Sequence, residues 1–281
     1  MYIDTHSYDT MLKGACDYFN VTSLELLNFF ITTADICIHE KCCNGDLLND
    51  EIDKFIKQNT PKQNIDKILF FHLGRRLNSG DTIGGNNLYE LLTNETPLSN
   101  FLAKHNVTFS IKDGHLEINE NGMQVSLENT FESKVCYLRS RLGYNVGRED
   151  FCFNGFAFKD LIYKNHYAIN LYQGPEFITQ LSSLLKRSDI ENDYFDNSTY
   201  YCFEYLVPLE LILFDNSDKL NQGEKVIYFL EQLLMRLFEY TRTNSEYMFD
   251  DDNPILRLAD NVNMPNEYYC NREIITFEML R

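Results

Sequence analysis

The sequence predicts a mixed α/β fold of the α+β kind, with an antiparallel or mixed sheet core, an N-terminal helical unit and a C-terminal packing helix. Three observations carry that expectation. Apolar residues recur at helical spacing over residues 8–58 and again after Gly223. A short apolar run, Lys67 to Leu73, and an aromatic run from Thr199 to Phe214 have strand character. A Lys112-Asp113-Gly114 turn separates two alternating segments. The expected division is 1–60 for the helical unit and 61–281 for the α+β core with its C-terminal helix and acidic tail.

The elements follow in order. Thr22 and Glu25 have the spacing of a capping box, and Leu24, Leu27, Phe30 and Ile31 are then expected on one helix face. Asp46 is expected to cap a further helix whose Ile52, Phe55 and Ile56 fall together, with Asn59-Thr60-Pro61 ending the unit. The run Lys67-Ile-Leu-Phe-Phe-His72-Leu73 reads as a buried strand bounded by Gly74. A Gly-rich loop with Gly80, Gly84 and Gly85 follows. Leu88 to Lys104 reads as helix with an interruption at Pro97. Val107 to Ile111 and His115 to Ile118 form the hairpin, and Met123 to Leu127 adds a strand after Asn121-Gly122. Residues 131–142 are helical, and the aromatic stretch 151–164 is ambiguous. Pro175 opens a helix bearing Phe177, Ile178, Leu181 and Leu184. Residues 188–198 are polar and acidic and read as a loop. Pro208 marks a strand end, Gly223 opens a helix with Val226, Leu230, Leu233 and Leu237 inward, and the tail from Asn244 is acidic and turn-rich.

Charge narrows the function classes. The formal net charge is −17, which opposes generic nucleic-acid binding and suits a protein partner with a basic surface. The surplus is uneven: ten acids against four bases over 1–60, 13 against 14 over 61–188, and 19 against seven over 189–281. An anionic ligand is least opposed in the middle. Eight cysteines without a CxxC pair suggest free thiols in a reducing compartment. The one cluster, Cys37, Cys42 and Cys43 with His39, is a poor tetrahedral chelate, so no metal is expected. The N-terminus has no basic-then-apolar leader, and no run approaches a membrane span, so cytoplasmic localisation is expected. P-loop, GxGxxG, HExxH and GxSxG motifs are missing from the chain.

Two features carry candidate chemistry. Phe70-Phe71-His72-Leu73-Gly74-Arg75-Arg76 places a His and two Arg at a strand end; the His can donate to a ribose hydroxyl, and Arg75 and Arg76 can pair with a pyrophosphate. Glu204, inside Tyr201-Cys202-Phe203-Glu204-Tyr205-Leu206-Val207-Pro208, could stabilise positive charge on a ribosyl oxocarbenium. The bland alternatives are a half-buried His beside solvated arginines, and a Glu204 that faces water by strand alternation.

Together these segments resemble the ADP-ribosyltransferase family over about residues 65–215. Glu204-Tyr-Leu-Val-Pro208 resembles the Glu strand of the His-Tyr-Glu subgroup and Phe71-His72-Leu73-Gly74 its His strand. Gly155-Phe156-Ala157-Phe158-Lys159-Asp160 is similar to the family's Gly-Ile-Tyr-Phe-Ala segment. The resemblance implies NAD as cofactor, His72 on the adenosine ribose and Glu204 on the nicotinamide ribose, with His72 and Glu204 as the catalytic pair. The reaction would cleave the nicotinamide bond and modify a protein or nucleic-acid acceptor. Phe156 stands where the family has Tyr, so Tyr163, Tyr167 or Tyr172 must substitute; Tyr167 is taken for the cofactor contact. No Ser-Thr-Ser segment supports the Arg-type subgroup.

The competing class is a non-enzymatic acidic interaction protein, with homo-oligomers among its forms. The Asn-, Ile-, Lys- and Tyr-rich usage suggests an AT-rich genome such as that of a low-GC bacterium or its phage. A phage-encoded inhibitor that covers a basic, nucleic-acid-processing host-defence complex fits that composition.

Overall fold

In the computed structural model, residues 1–40, 42–59, 64–80, 83–145, 147, 149–215, 217–242, 248 and 252–281 are described. The expected break at Thr60-Pro61 and the Asp250-Asp251 part of the acidic tail lie outside them. The fold is mixed α/β with antiparallel sheets. The chain forms two compact units, both discontinuous in sequence.

The first unit comprises Met1–Phe71, Phe156–His166 and Leu206–Leu256. Helix α1 (Tyr8–Phe19) starts at a reciprocal Ser7/Thr10 cap, and α2 (Ser23–Cys37) starts at the expected Thr22/Glu25 box. The inward face of α2 differs from the expected one. Leu26, Phe30, Thr33 and Cys37 are buried, whereas Leu24 and Ile31 are 69% and 57% exposed. The apolar residues nearly encircle this helix, so spacing alone does not pick the buried side. A two-residue ladder, β1 (Ile38–His39) with β2 (Cys42–Cys43), leads into α3 (Gly45–Gln58). The cap of α3 is Asn44, whose side chain accepts from the Asp46 and Leu47 amides; Asp46 lies in the first turn instead. Leu48, Ile52, Phe55 and Ile56 are its buried side. Helix α10 (Gln222–Arg242) packs against α1, α2 and α3. A buried network holds α10 to the 156–166 segment: Arg236 pairs with Asp160 at 3.3 Å, and the Tyr240 hydroxyl donates to the same carboxylate at 2.6 Å.

Strand β3 (Lys67–Leu77) begins in this unit, where Phe71 pairs with Phe156 of β7 (Asn154–Phe156). Next to β7 stand β10 (Ile255–Arg257) and β9 (Leu213–Phe214).

The second unit comprises His72–Gly155, Tyr167–Tyr205 and Arg257–Arg281. Here β3 continues through Gly74, which was expected to end it. Beside it runs β8 (Ser198–Pro208), and β8 pairs antiparallel with β11 (Tyr269–Ile274). Pro208 is the last residue of β8, as its missing N–H demands. The helix expected to break at Pro97 is two helices, α4 (Leu88–Thr93) and α5 (Pro97–Lys104). The hairpin β4 (Val107–Lys112) and β5 (His115–Glu120) turns on Asp113-Gly114, both with positive φ, and β6 (Met123–Gln124) completes a three-stranded sheet. Helices α6 (Ser133–Arg141), α7 (His166–Gln173) and α8 (Glu176–Leu185) follow, α8 with Pro175 as its cap residue.

Residues 188–196, expected as a loop, form helix α9 (Ser188–Asp196). Its Ile190 and Tyr194 are buried in the unit's core with Leu102, Leu138 and Leu181, while Asp189, Asp193 and Asp196 face out. Two anchors on one side suffice when the core is waiting for them. The turn-rich tail likewise contributes β10 and β11.

Candidate functional site

The face of β3 that carries His72, Gly74 and Arg76 is the chemically richest place in the second unit. Alternate strand residues share a face, so these three stand together and Arg75 points the other way.

His72 is fixed by two contacts. Its Nδ1–H donates to the Asn154 carbonyl at 2.6 Å, and its ring stacks on Phe153 with centroids 4.2 Å apart. A carbonyl only accepts, so the proton is on Nδ1 and Nε2 is left as an acceptor. Asn154 is itself held by the Cys152 thiol, which donates to its side-chain oxygen at 2.9 Å. Burial and the Arg76 guanidinium push the His72 pKa down to about 3, against the smaller upward pull of the Asn154 bond. The imidazole is therefore neutral at physiological pH.

Arg76 lies over the Phe203 ring at 4.8 Å. Its one hydrogen bond among the described residues is a long one, 3.4 Å to the Arg75 carbonyl, and it forms no ion pair among them. Burial lowers its pKa, which marks the cost of holding this cation without a counter-charge. Phe203 also lies 6.2 Å from His72 and 5.4 Å from Tyr201. Across the β8–β11 ladder, Arg272 is the register partner of Phe203 and lies over Tyr201 at 5.2 Å. Tyr205 continues the same face: its ring meets Phe153 at 5.9 Å and its hydroxyl donates to Ile83 O at 2.7 Å.

The other face holds the remaining expected residues. Glu204 follows Phe203 on β8, in register with Asn271 next to a bulge that β11 makes between Tyr269 and Asn271, and strand alternation turns its side chain away from the face of Phe203, His72 and Arg76. Arg75 is held in the structure by four hydrogen bonds. Its Nε donates to Ser198 Oγ at 2.8 Å, Nη1 to Tyr172 O at 2.6 Å, and Nη2 to Phe195 O and Ser198 O at 3.0 and 2.7 Å. Its guanidinium also lies over Phe195 at 4.4 Å. Tyr172 and Phe195 are in the last turns of α7 and α9, where carbonyls lack helical partners and a cation is favoured. These bonds take four of its five N–H groups on a buried side chain, so it is a structural residue rather than a pyrophosphate ligand. Tyr167 is 42% exposed on α7, and α7 belongs to the Arg75 side, since Tyr200 donates to Ala168 O.

Of the expected set, then, His72 and Arg76 come together, while Glu204, Arg75 and the helix of Tyr167 lie on the opposite side of the sheet. The glycines after Gly74 are also accounted for by packing: a Cβ on Gly85 would stand 2.4 Å from the Phe153 ring. Phe203, Phe153 and Arg272 were missed in the sequence. Strand alternation puts Gly74 and Arg76 on the His72 face and Arg75 on the other, but nothing in the sequence places β8 beside β3 or β11 beside β8.

Among the described residues no group of His, Cys, Asp and Glu is arranged to hold a metal ion. All eight cysteines are free thiols: Cys16, Cys37, Cys152 and Cys202 are buried, and Cys42, Cys136 and Cys270 exposed. No described helix is long and apolar enough to cross a membrane. No family model, curated protein or solved structure matches this chain.

Proposed function

We propose that the protein acts by binding a macromolecular partner with a basic surface, without catalysing a reaction at Glu204. The observation that carries this reading is the net charge of −17, and α9 supports it. That helix turns Asp189, Asp193 and Asp196 outward while anchoring itself through Ile190 and Tyr194. Arg187 pairs with Asp189 at 2.7 Å, and His105 Nε2 is hydrogen-bonded to Asp193 at 2.9 Å, which leaves Asp196 as the third outward carboxylate. A nucleic-acid-processing complex presents the kind of cationic surface that such a face complements.

The transferase reading stands second. It needs His72 and Glu204 on one cleft, and the two point to opposite faces of the sheet. NAD binding and phage origin rest on the resemblance and on composition alone.

The test is electrostatic. A basic partner recovered by crosslinking is purified and titrated against the chain from about 0.05 to 0.5 M salt, a range over which screening of exposed charges becomes nearly complete. Affinity should fall steeply with salt, and Asp193→Lys with Asp196→Lys should weaken binding at low salt. Salt-independent affinity, or an unaffected double variant, contradicts the reading.

A further inference from the structure

We propose that the clustered rings of Tyr172, Phe195 and Phe277 seat an arginine-rich segment of the partner protein that also carries apolar side chains. This rests on the proposed binding of a basic partner; it says where the cationic segment docks and what besides charge holds it.

Three observations meet on this surface of the second unit. The first is a contiguous patch. The Tyr172 ring of α7 lies 6.1 Å from that of Phe195 on α9 and 5.6 Å from that of Phe277, which opens a 3-10 turn after β11. Phe195 is 37% exposed and Phe277 43%. Ile169, also exposed, stands three residues before Tyr172 on α7 and extends the patch. Exposed rings scattered singly are ordinary, whereas rings in contact with one another mark an interaction surface. The second observation is rigidity. Buried Arg75 donates to the Phe195 and Tyr172 carbonyls, and its guanidinium backs both rings, 4.4 Å from the Phe195 centroid and 5.8 Å from that of Tyr172. Rings already ordered in this way lose little freedom when a partner covers them. The third is charge. Asp196 follows Phe195 on α9 and Glu278 follows Phe277, and both are exposed, so carboxylates border the rings.

The chain itself holds one instance of the inferred contact. The Arg281 guanidinium lies over the Phe277 ring at 4.6 Å. The Glu278 amide and the Thr276 hydroxyl, helped by Arg281, hold the Glu278 carboxyl below the usual carboxylate range. Phe277 keeps its exposure with that cation in place. Ring faces attract a guanidinium, bordering carboxylates pair with it, and the apolar surface between them takes aliphatic side chains. A nucleic acid would be repelled by the same carboxylates. An uncharged peptide would leave them without counter-charge.

The test is fluorescence anisotropy of the full chain with three labelled peptides: one that interleaves arginines with leucines, one with serine for each leucine, and one with glutamate for each arginine. The Arg/Leu peptide should bind most tightly, the Arg/Ser peptide at least about fivefold more weakly, and the Glu/Leu peptide undetectably. Phe277→Ser and Phe195→Ser both leave the net charge at −17, yet each should weaken the Arg/Leu peptide by about fivefold or more, the scale of one cation–π contact. Should Phe195→Ser fail to fold because Arg75 loses its ring, Phe277→Ser at the exposed end of the chain carries the test. Arg/Leu binding unchanged in folded Phe277→Ser overturns this inference and leaves the basic-partner reading standing. Equal affinity for the Arg/Leu and Arg/Ser peptides overturns the apolar part of the seat, and tight binding of the Glu/Leu peptide overturns the cationic part. Failure of both arginine peptides to bind at low salt overturns the seat and the basic-partner reading together.

Discussion

Arg75 and Arg76 are neighbours in sequence with opposite physical roles. Arg75 saturates Ser198 and the terminal carbonyls of α7 and α9. Arg76 has one long hydrogen bond and an aromatic ring. Truncating the first orphans buried acceptors, each costing about 1–3 kcal/mol; truncating the second removes a poorly compensated cation. We therefore expect Arg75→Met to lower stability by about 2–4 kcal/mol and Arg76→Met by less than about 1 kcal/mol, read as midpoint shifts in urea unfolding. The dipeptide in the sequence suggested two equivalent phosphate ligands. Strand alternation separates them, and that was legible. What Arg75 meets on its own side was not, because its partners lie about 100 residues away in the chain. His72 was legible as a strand residue. Its tautomer was not, since that depends on the Asn154 carbonyl.

At the scale of elements, local signals held where local chemistry decides the outcome. The Thr22/Glu25 box, the Asp113-Gly114 turn and Pro97 at a helix start are set by hydrogen bonds within a few residues. Residues 188–196 misled because their polarity is that of a loop, while two anchors, Ile190 and Tyr194, make a helix of them. Helix α10 adds a testable feature. Burial and the nearby Asp53 carboxyl on α3 push the Glu231 pKa up to about 7. An acid whose folded pKa is raised stabilises the fold fully below its ordinary value of 4.5; the contribution is lost as pH rises through about 7. The stability of the wild type relative to Glu231→Gln should therefore fall from pH 5 to pH 8. Thermal unfolding at both pH values measures it, and a parallel pair of curves would show that the carboxyl is not perturbed.

For the whole molecule, composition fixed the fold class and the acidic balance, and the structure bears out the mixed α/β class. The site was only half legible. A His strand and a Glu strand can be read from short runs, but a catalytic pair requires both side chains on one face, and the face of Glu204 depends on the pairing of β8 with its neighbours. Phe203, not Glu204, is the β8 residue that meets His72. The most direct measurement is NAD consumption by the wild type and by Glu204→Gln, with protein and nucleic-acid acceptors supplied. With Glu204 turned from His72, neither protein should consume NAD above the rate without protein. Consumption by the wild type that Glu204→Gln abolishes would contradict this placement and restore the transferase.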